Sequence, residues 1–305
     1  MSPQGGDLPW AAAGGWAAGV CAILLLAGWT PAWAAVASVV DDRGVKVEVA
    51  LPVRRIVALT PSLTETVCAL EACERLVATD RYSKWPPSVR SLPKVGGLED
   101  TRIEQIVALR PDVVLAASST RVIDRLESLG LKVVALEPRT LTEVQRVMEK
   151  IATLLDRPRA AQRTWQELQA QIDEAARRVP ASARGQRVYF EVASTPHAAS
   201  ASSFVGELLI RLGLSNIVPG SWGPFPALNS EWVVQSQPDW IMGSQIEVQG
   251  MHRRPGWSTL PALKFQRVCA LNEEQMDTLV RAGPRLGEGA RTLSQCLTHK
   301  AGVAP

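Results

Sequence analysis

Residues 104–115 read E-Q-I-V-A-L-R-P-D-V-V-L, and residues 231–242 read E-W-V-V-Q-S-Q-P-D-W-I-M. Each copy starts with a glutamate, runs through apolar-periodic helical positions, reaches Pro-Asp and then enters an apolar, strand-like run. The copies lie 127 residues apart, about the length of one small domain. Such an echo predicts two similar lobes, with Glu104 and Glu231 at matching places on each.

Hydrophobic patterning extends the prediction. Residues 35–53 form a β entry around the turn Asp42-Arg43-Gly44. Residues 54–60 and 75–79 read as strands separated by a helix that opens on S-L-T-E, a capping box. Thr101 to Glu104 is a second capping box, followed by strand 112–117, helix 120–129 and strand 132–137. Residues 141–178 are polar and helix-forming, with one break at Asp156-Arg157-Pro158. Strand 187–192, helix 203–212, helix 230–236, strand 239–243, strand 267–271 and helix 285–297 make a second β-α series, with loops at 218–227 and 244–263. Alternation of this kind argues for parallel sheets flanked by helices. The expected fold is α/β: two similar lobes with central, mainly parallel sheets, joined by a long α-helix, with a ligand cleft between them. The expected segments are 1–34 (signal peptide), 35–140 (N-terminal lobe), 141–180 (inter-lobe helix), 181–298 (C-terminal lobe) and 299–305 (tail).

The signal peptide rests on the apolar run 17–28 and on Ala32-Trp33-Ala34, an A-x-A cleavage pattern. That run is shorter than the ~20 residues a membrane span needs, which favours cleavage near Ala34/Ala35 over an uncleaved anchor. Before it stands Asp7 and no Lys or Arg, a departure from the usual signal. Export places the chain in a disulfide-permissive compartment. Beyond the signal four cysteines remain, Cys68, Cys73, Cys269 and Cys296, which allow three pairings. Closeness in the chain and lobe membership favour Cys68–Cys73 and Cys269–Cys296 over buried free thiols.

With 46% hydrophobic residues, 21% charged residues and a net charge of +3, the chain shows no nucleic-acid-binding character. No G-x-G-x-x-G follows the first strand, and no P-loop, G-x-S-x-G or H-E-x-x-H occurs. The chain therefore reads as a binding protein without catalytic residues, cofactor or metal site, acting as a monomer. A rival of another class is an α/β enzyme or a metal chaperone built on His197 and His252, although His252, followed by two arginines in a loop, reads as solvated.

Ligands of open α/β folds sit at the carboxyl ends of the strands. The loops expected there are Tyr82–Pro87, Val95–Leu98, Ser118–Thr120, Thr195–His197, Trp222–Pro226 and Met276–Arg281. Residues 51–297 resemble the periplasmic cobalamin-binding proteins of ABC importers, part of a helical-backbone class that also binds haem and ferric siderophores. The resemblance rests on R-I-V-A-L-T-P-S-L-T-E-T, R-Y-S-K-W-P-P, I-E-Q-I-V-A-L-R-P-D-V-V-L, S-E-W-V-V-Q-S-Q-P-D and R-A-G-P-R-L.

It implies a cobalamin or similar tetrapyrrole-like ligand, a cleft tyrosine at Tyr82, a cleft aromatic at Phe225, and an acid and a base facing the ligand at Asp277 and Arg281. An i,i+4 ion pair accounts for the last two without a ligand. His197 falls where a relative has an aromatic. Gly97 or Leu98 and Ala117 stand near two cleft tryptophans of that relative, so Trp85, Trp222 and Trp257 are candidate replacements. The resemblance also implies that Glu104 and Glu231 dock into the permease dimer, although both fit helix starts without that role.

Overall fold

The computed structural model describes residues 35–194 and 196–301. The expected signal segment, Thr195 and the tail residues 302–305 lie outside the described residues. Residues 299–301, expected in the tail, belong to the last helix.

The N-terminal lobe opens with a hairpin, β1 (Val36–Val40) and β2 (Lys46–Ala50). Its strict alternation buries Ala37, Val39, Val47 and Val49. Then follow β3 (Ile56–Ala58), α1 (Pro61–Ala69), β4 (Leu76–Thr79), α2 (Ile103–Ala108), β5 (Val113–Ala116), α3 (Ile123–Ser128) and β6 (Val133–Ala135). The parallel sheet runs β4-β3-β5-β6. Its short runs of Val, Ile, Leu and Ala suit strands covered on both faces.

The helical connection between the lobes is interrupted at the expected Asp156-Arg157-Pro158 break, giving α4 (Leu141–Leu155) and α5 (Pro158–Arg178). Thr140 caps α4 by accepting from the Glu143 N–H, and Asp156 ends it in a left-handed conformation. Pro158, whose missing N–H costs nothing in a first turn, restarts the helix. Val144, Val147, Met148, Ile151 and Leu155 form the buried stripe of α4, at helical spacing.

The C-terminal lobe contains β7 (Arg187–Ala193), β8 (His197–Ala198), α6 (Phe204–Arg211), β9 (Ser215–Asn216), α7 (Ser230–Ser236), β10 (Trp240–Ser244), α8 (Gln245–Met251), α9 (Pro261–Lys264), β11 (Val268–Leu271), α10 (Glu273–Val280) and α11 (Leu286–Ala301). The order is β11-β10-β7, with β9 parallel to the start of β7 and β8 antiparallel to its end. The expected loop 244–263 is largely α8, a short 3-10 turn and the start of α9. The expected loop Met276–Arg281 lies mostly within α10, opened by an Asn272–Gln275 capping box. Gly206 lets α6 approach the chain before it: a Cβ there would lie 1.8 Å from the Ser200 carbonyl oxygen.

The echo in the sequence corresponds to one joint built twice. Arg110 and Gln237 both turn left-handed before their Pro-Asp. Asp112 then accepts from the N–H groups of Arg54 and Arg55 at the entrance to β3 (2.7 and 2.8 Å). Asp239 accepts from the N–H of Arg187 at the entrance to β7 (2.8 Å). In each lobe the aspartate pins the neighbouring strand in parallel register. A continuous apolar core runs from the hairpin and α1 through α4 and α5 to α6 and α11, so the lobes share one spine. Disulfides join Cys68 to Cys73 and Cys269 to Cys296, each within a lobe.

Candidate binding cleft

At the carboxyl end of β4 the chain makes a tight turn around a buried acid. Asp80 accepts from the Tyr82 N–H at 2.7 Å, and the Ser83 hydroxyl lies within hydrogen-bond reach of both Asp80 and Thr64 on α1. Lys94 seals the turn from below, donating to Thr79 Oγ1 (2.8 Å), the Ser83 carbonyl (2.9 Å) and the Val89 carbonyl (3.0 Å). Burial raises the Asp80 carboxyl above its ordinary range and lowers the Lys94 ammonium. The turn leaves the Tyr82 side chain 54% exposed.

Gly97 lies against that ring. A Cβ at this position would come within 3.0 Å of Tyr82 Cε2. Gly96 before it has φ of +97°, and its N-terminal lobe loop is held by the Arg81 N–H donating to its carbonyl (2.8 Å). The Arg81 guanidinium sits 5.9 Å from the Tyr82 ring centroid and pairs with Asp100.

The opposite wall comes from α10 and the segment joining it to α11. Arg281 donates to Glu65 Oε1 of α1 (3.0 Å) and to the Tyr82 carbonyl (3.2 Å), and pairs with Asp277 (2.6 Å). Two of these bonds cross from one lobe to the other. Lys84 pairs with Glu273 across the same gap (2.6 Å), and the Arg285 guanidinium lies 4.8 Å from the Trp85 ring centroid. Trp85, Lys84, Asp277, Arg281 and Arg285 line a cavity of about 340 Å³ between the lobes. Five of the residues expected at the site, Tyr82, Trp85, Gly97, Asp277 and Arg281, therefore form one connected group. Burial raises the Asp277 carboxyl, against the pull of Arg281.

The other three belong to a second group on the C-terminal lobe. His197 lies half-buried in β8, bridged to Ala227, and the chain 224–227 runs alongside it through the Ala198 N–H to Pro226 carbonyl bond (3.1 Å). Phe225 packs its edge against Phe204 at 5.5 Å. Trp222 is 47% exposed and rests on Trp232, one residue from Glu231, at 4.8 Å. Trp257 is not a wall residue. It is fully buried, edge-on to Tyr189 at 5.8 Å, and its indole N–H donates to Ser230 Oγ at 2.6 Å.

Glu104 and Glu231 are exposed in the first turns of α2 and α7. Asn229 caps α7, its side chain accepting from the Glu231 N–H. Thr101 does not cap α2: its hydroxyl donates to the Gly97 carbonyl instead (2.7 Å). The S-L-T-E segment does not form a capping box either, because α1 starts at Pro61 and places Ser62 inside the helix.

Glu65 and Arg285 are functional candidates that sequence reading missed. S-L-T-E matched a capping box, which hid Glu65. The other signal was its setting: Leu63, Thr64, Thr66 and Val67 around it are all buried, so α1 has no solvated face at that level. A second ion pair was missed in the C-terminal lobe. Glu191 is fully buried and accepts from both Arg254 terminal nitrogens (2.6 and 2.7 Å) and from the Tyr189 hydroxyl (2.8 Å). Its signal was a lone Glu in the apolar run V-Y-F-E-V. Among the described residues, no group of three or more His, Cys, Asp or Glu is arranged to hold a metal ion, and no helix is long and apolar enough to cross a membrane.

The family described as periplasmic binding protein matches residues 56–274. The vitamin B12-binding protein of Pectobacterium atrosepticum is 28% identical over 241 residues, covering 76% of this chain and 84% of that protein. The crystal structure of the periplasmic vitamin B12 binding protein of Vibrio cholerae is similar at 25% identity and TM-score 0.68, covering 82% of this chain and 98% of that one. A periplasmic heme-binding protein solved with two hemes is similar at 27% identity and TM-score 0.68, covering 81% of this chain and 98% of that one.

Proposed function

This chain belongs to the periplasmic binding protein family, a family of binding proteins and not enzymes, and on that premise we propose that it captures cobalamin or a related corrinoid after export and delivers it to an ABC permease. The observation that carries the reading is the likeness to vitamin B12-binding proteins over three quarters of the chain. The cleft supports it chemically. A corrinoid is a broad ring with an amide fringe, suited to an exposed Tyr82 on one wall and to the polar Asp277–Arg281 wall opposite.

Calorimetric titration with cyanocobalamin tests the reading. One ligand should bind per chain with a dissociation constant at or below about 1 μM, near −8 kcal/mol. No binding at that level, together with tight binding of haem or a ferric siderophore, moves the ligand assignment and keeps the class. Haem is the second reading, favoured by the likeness to the heme-binding structure. There Tyr82 and His197 are the side chains with the chemistry to ligate iron.

Glu104 and Glu231 are the proposed docking points. They stand in the first turns of equivalent helices, and both are exposed. Among the described residues neither carboxylate has an ion-pair partner, so each is free to meet a basic pocket. Reversing both charges, E104K with E231K, should cut cellular uptake about tenfold or more, since like charges facing across an interface cost several kcal/mol. Affinity for ligand should stay within about twofold, because neither residue contacts the cleft group. Normal uptake by that variant would remove the docking role. The N-terminal segment with its A-x-A pattern is proposed as the cleavable export signal, and the protein is proposed to work as a monomer.

A further inference from the structure

We infer that Glu65 is a positioning residue of the cleft: from α1 of the N-terminal lobe it holds Arg281 of the C-terminal lobe and ties the two walls together when ionised. The ligand-affinity part of this inference rests on the proposed binding function; the tie itself does not.

Glu65 is 1% exposed, in the middle of α1 with buried residues on both sides of it. Its Oε1 accepts from Arg281 at 3.0 Å and lies 3.9 Å from Arg285, while its Oε2 is buried without a hydrogen-bond partner. A buried carboxylate with one oxygen unsatisfied keeps its charge only through its cations. Here both cations come from the other lobe, from the segment joining α10 to α11. Arg281 in turn reaches the Tyr82 carbonyl, so Glu65, Arg281 and Tyr82 are one bonded chain across the lobe boundary. Arg285 covers Trp85 and pairs with Glu288. Loss of the Glu65 charge would leave Arg281 with Asp277 on its own helix and weaken the bond across the boundary.

The charged groups around Glu65 are Arg281, Arg285 and Asp277 from the C-terminal lobe; from the N-terminal lobe Asp80 faces Arg281, and Lys94 faces Asp80. Burial outweighs the two arginines and pushes the Glu65 carboxyl up to about 7. The tie is therefore made above neutral pH and lost below it.

The test has two arms, each with wild type and the isosteric variant E65Q. In ligand-free, ¹⁵N-labelled protein, the Trp85 indole N–H resonance should move between pH 6 and 8 with a midpoint near 7 in wild type. It should stay still in E65Q. In calorimetry, cyanocobalamin should bind wild type about tenfold more weakly at pH 6 than at pH 8, the loss expected one unit below a required ionised group. E65Q should be flat within about twofold. A Trp85 resonance that titrates equally in E65Q, or does not titrate in wild type, overturns the positioning role. A flat wild-type affinity overturns its link to binding. No cyanocobalamin binding at either pH, with a Glu65-dependent Trp85 transition, removes the ligand assignment and supports the tie.

Discussion

Replacing Arg281 by alanine should lower the free energy of unfolding by about 2 kcal/mol at pH 8 and by about 1 kcal/mol at pH 5. Removing one partner of a buried ion pair costs about 3–5 kcal/mol when the other is stranded with its charge. Glu65 is the stranded group, buried and with Oε2 already unsatisfied. The pH dependence follows from proton binding. A carboxyl raised from 4.5 to about 7 by burial holds its proton more firmly in the folded chain than in the unfolded one. That proton contributes stability below the unfolded value, and the contribution is lost as pH rises through the folded one. Without Arg281 the folded value climbs further and Glu65 keeps its proton at pH 8, so the variant avoids the full cost of a stranded charge and forgoes about 1.4 kcal/mol, the gain from ionising one unit above the folded value. At pH 5 Glu65 is neutral in both proteins, and the variant loses only the bonds to the Tyr82 carbonyl and Asp277. Urea unfolding followed by circular dichroism at the two pH values measures the difference. An equal cost at both pH values would mean that Glu65 is not the group Arg281 serves.

The second large effect is expected away from the cleft. Arg254→Ala should destabilise the protein by about 3–5 kcal/mol and leave ligand affinity unchanged. Arg254 supplies both hydrogen bonds that neutralise Glu191, stacks on Trp257 at 4.6 Å and reaches Glu247 at 3.5 Å. With Arg254 gone, Glu191 keeps the Tyr189 hydroxyl and is left as a buried charge among Tyr189, Trp257 and the strands of the outer core. That same setting raises the Tyr189 phenol beyond its ordinary range, chiefly by burial, so it stays a donor. A double-mutant cycle of R254A with E191Q should give a coupling of about 2 kcal/mol or more, because the neutral amide no longer needs the arginine. Coupling near zero would show that Arg254 acts through its stacking on Trp257 alone.

The two predictions share a cause, and it explains what was legible in the chain. The echo between residues 104–115 and 231–242 was readable because each copy is a local object. A helix start, a left-handed residue before Pro-Asp and an apolar strand are all set by neighbours within about ten residues. The disulfides were readable for a related reason: each joins cysteines of the same lobe, 5 and 27 residues apart. Misreadings arose where two local signals competed. S-L-T-E and T-R-I-E both match a capping box, yet Glu65 faces the other lobe and Thr101 bonds Gly97. Met276–Arg281, expected as a loop, lies mostly within α10 because Asn272 and Gln275 form a capping box that starts the helix ahead of it. Trp257, beside Gly256 and two arginines, looked like a loop aromatic. The 3-10 turn that carries it folds under α7 and buries it.

By itself the sequence determined the two α/β lobes, the repeated Pro-Asp joint, the helical spine and the exposed acid at each helix start. These follow from hydrophobic period and turn chemistry, which act over short stretches of chain. Only the tertiary structure decided which charges meet. Glu65 finds Arg281 across 216 residues and Glu191 finds Arg254 across 63. Nothing in residue spacing specifies such pairs, because each is made by packing: burial removes water from a carboxylate, and the fold must bring a guanidinium to it.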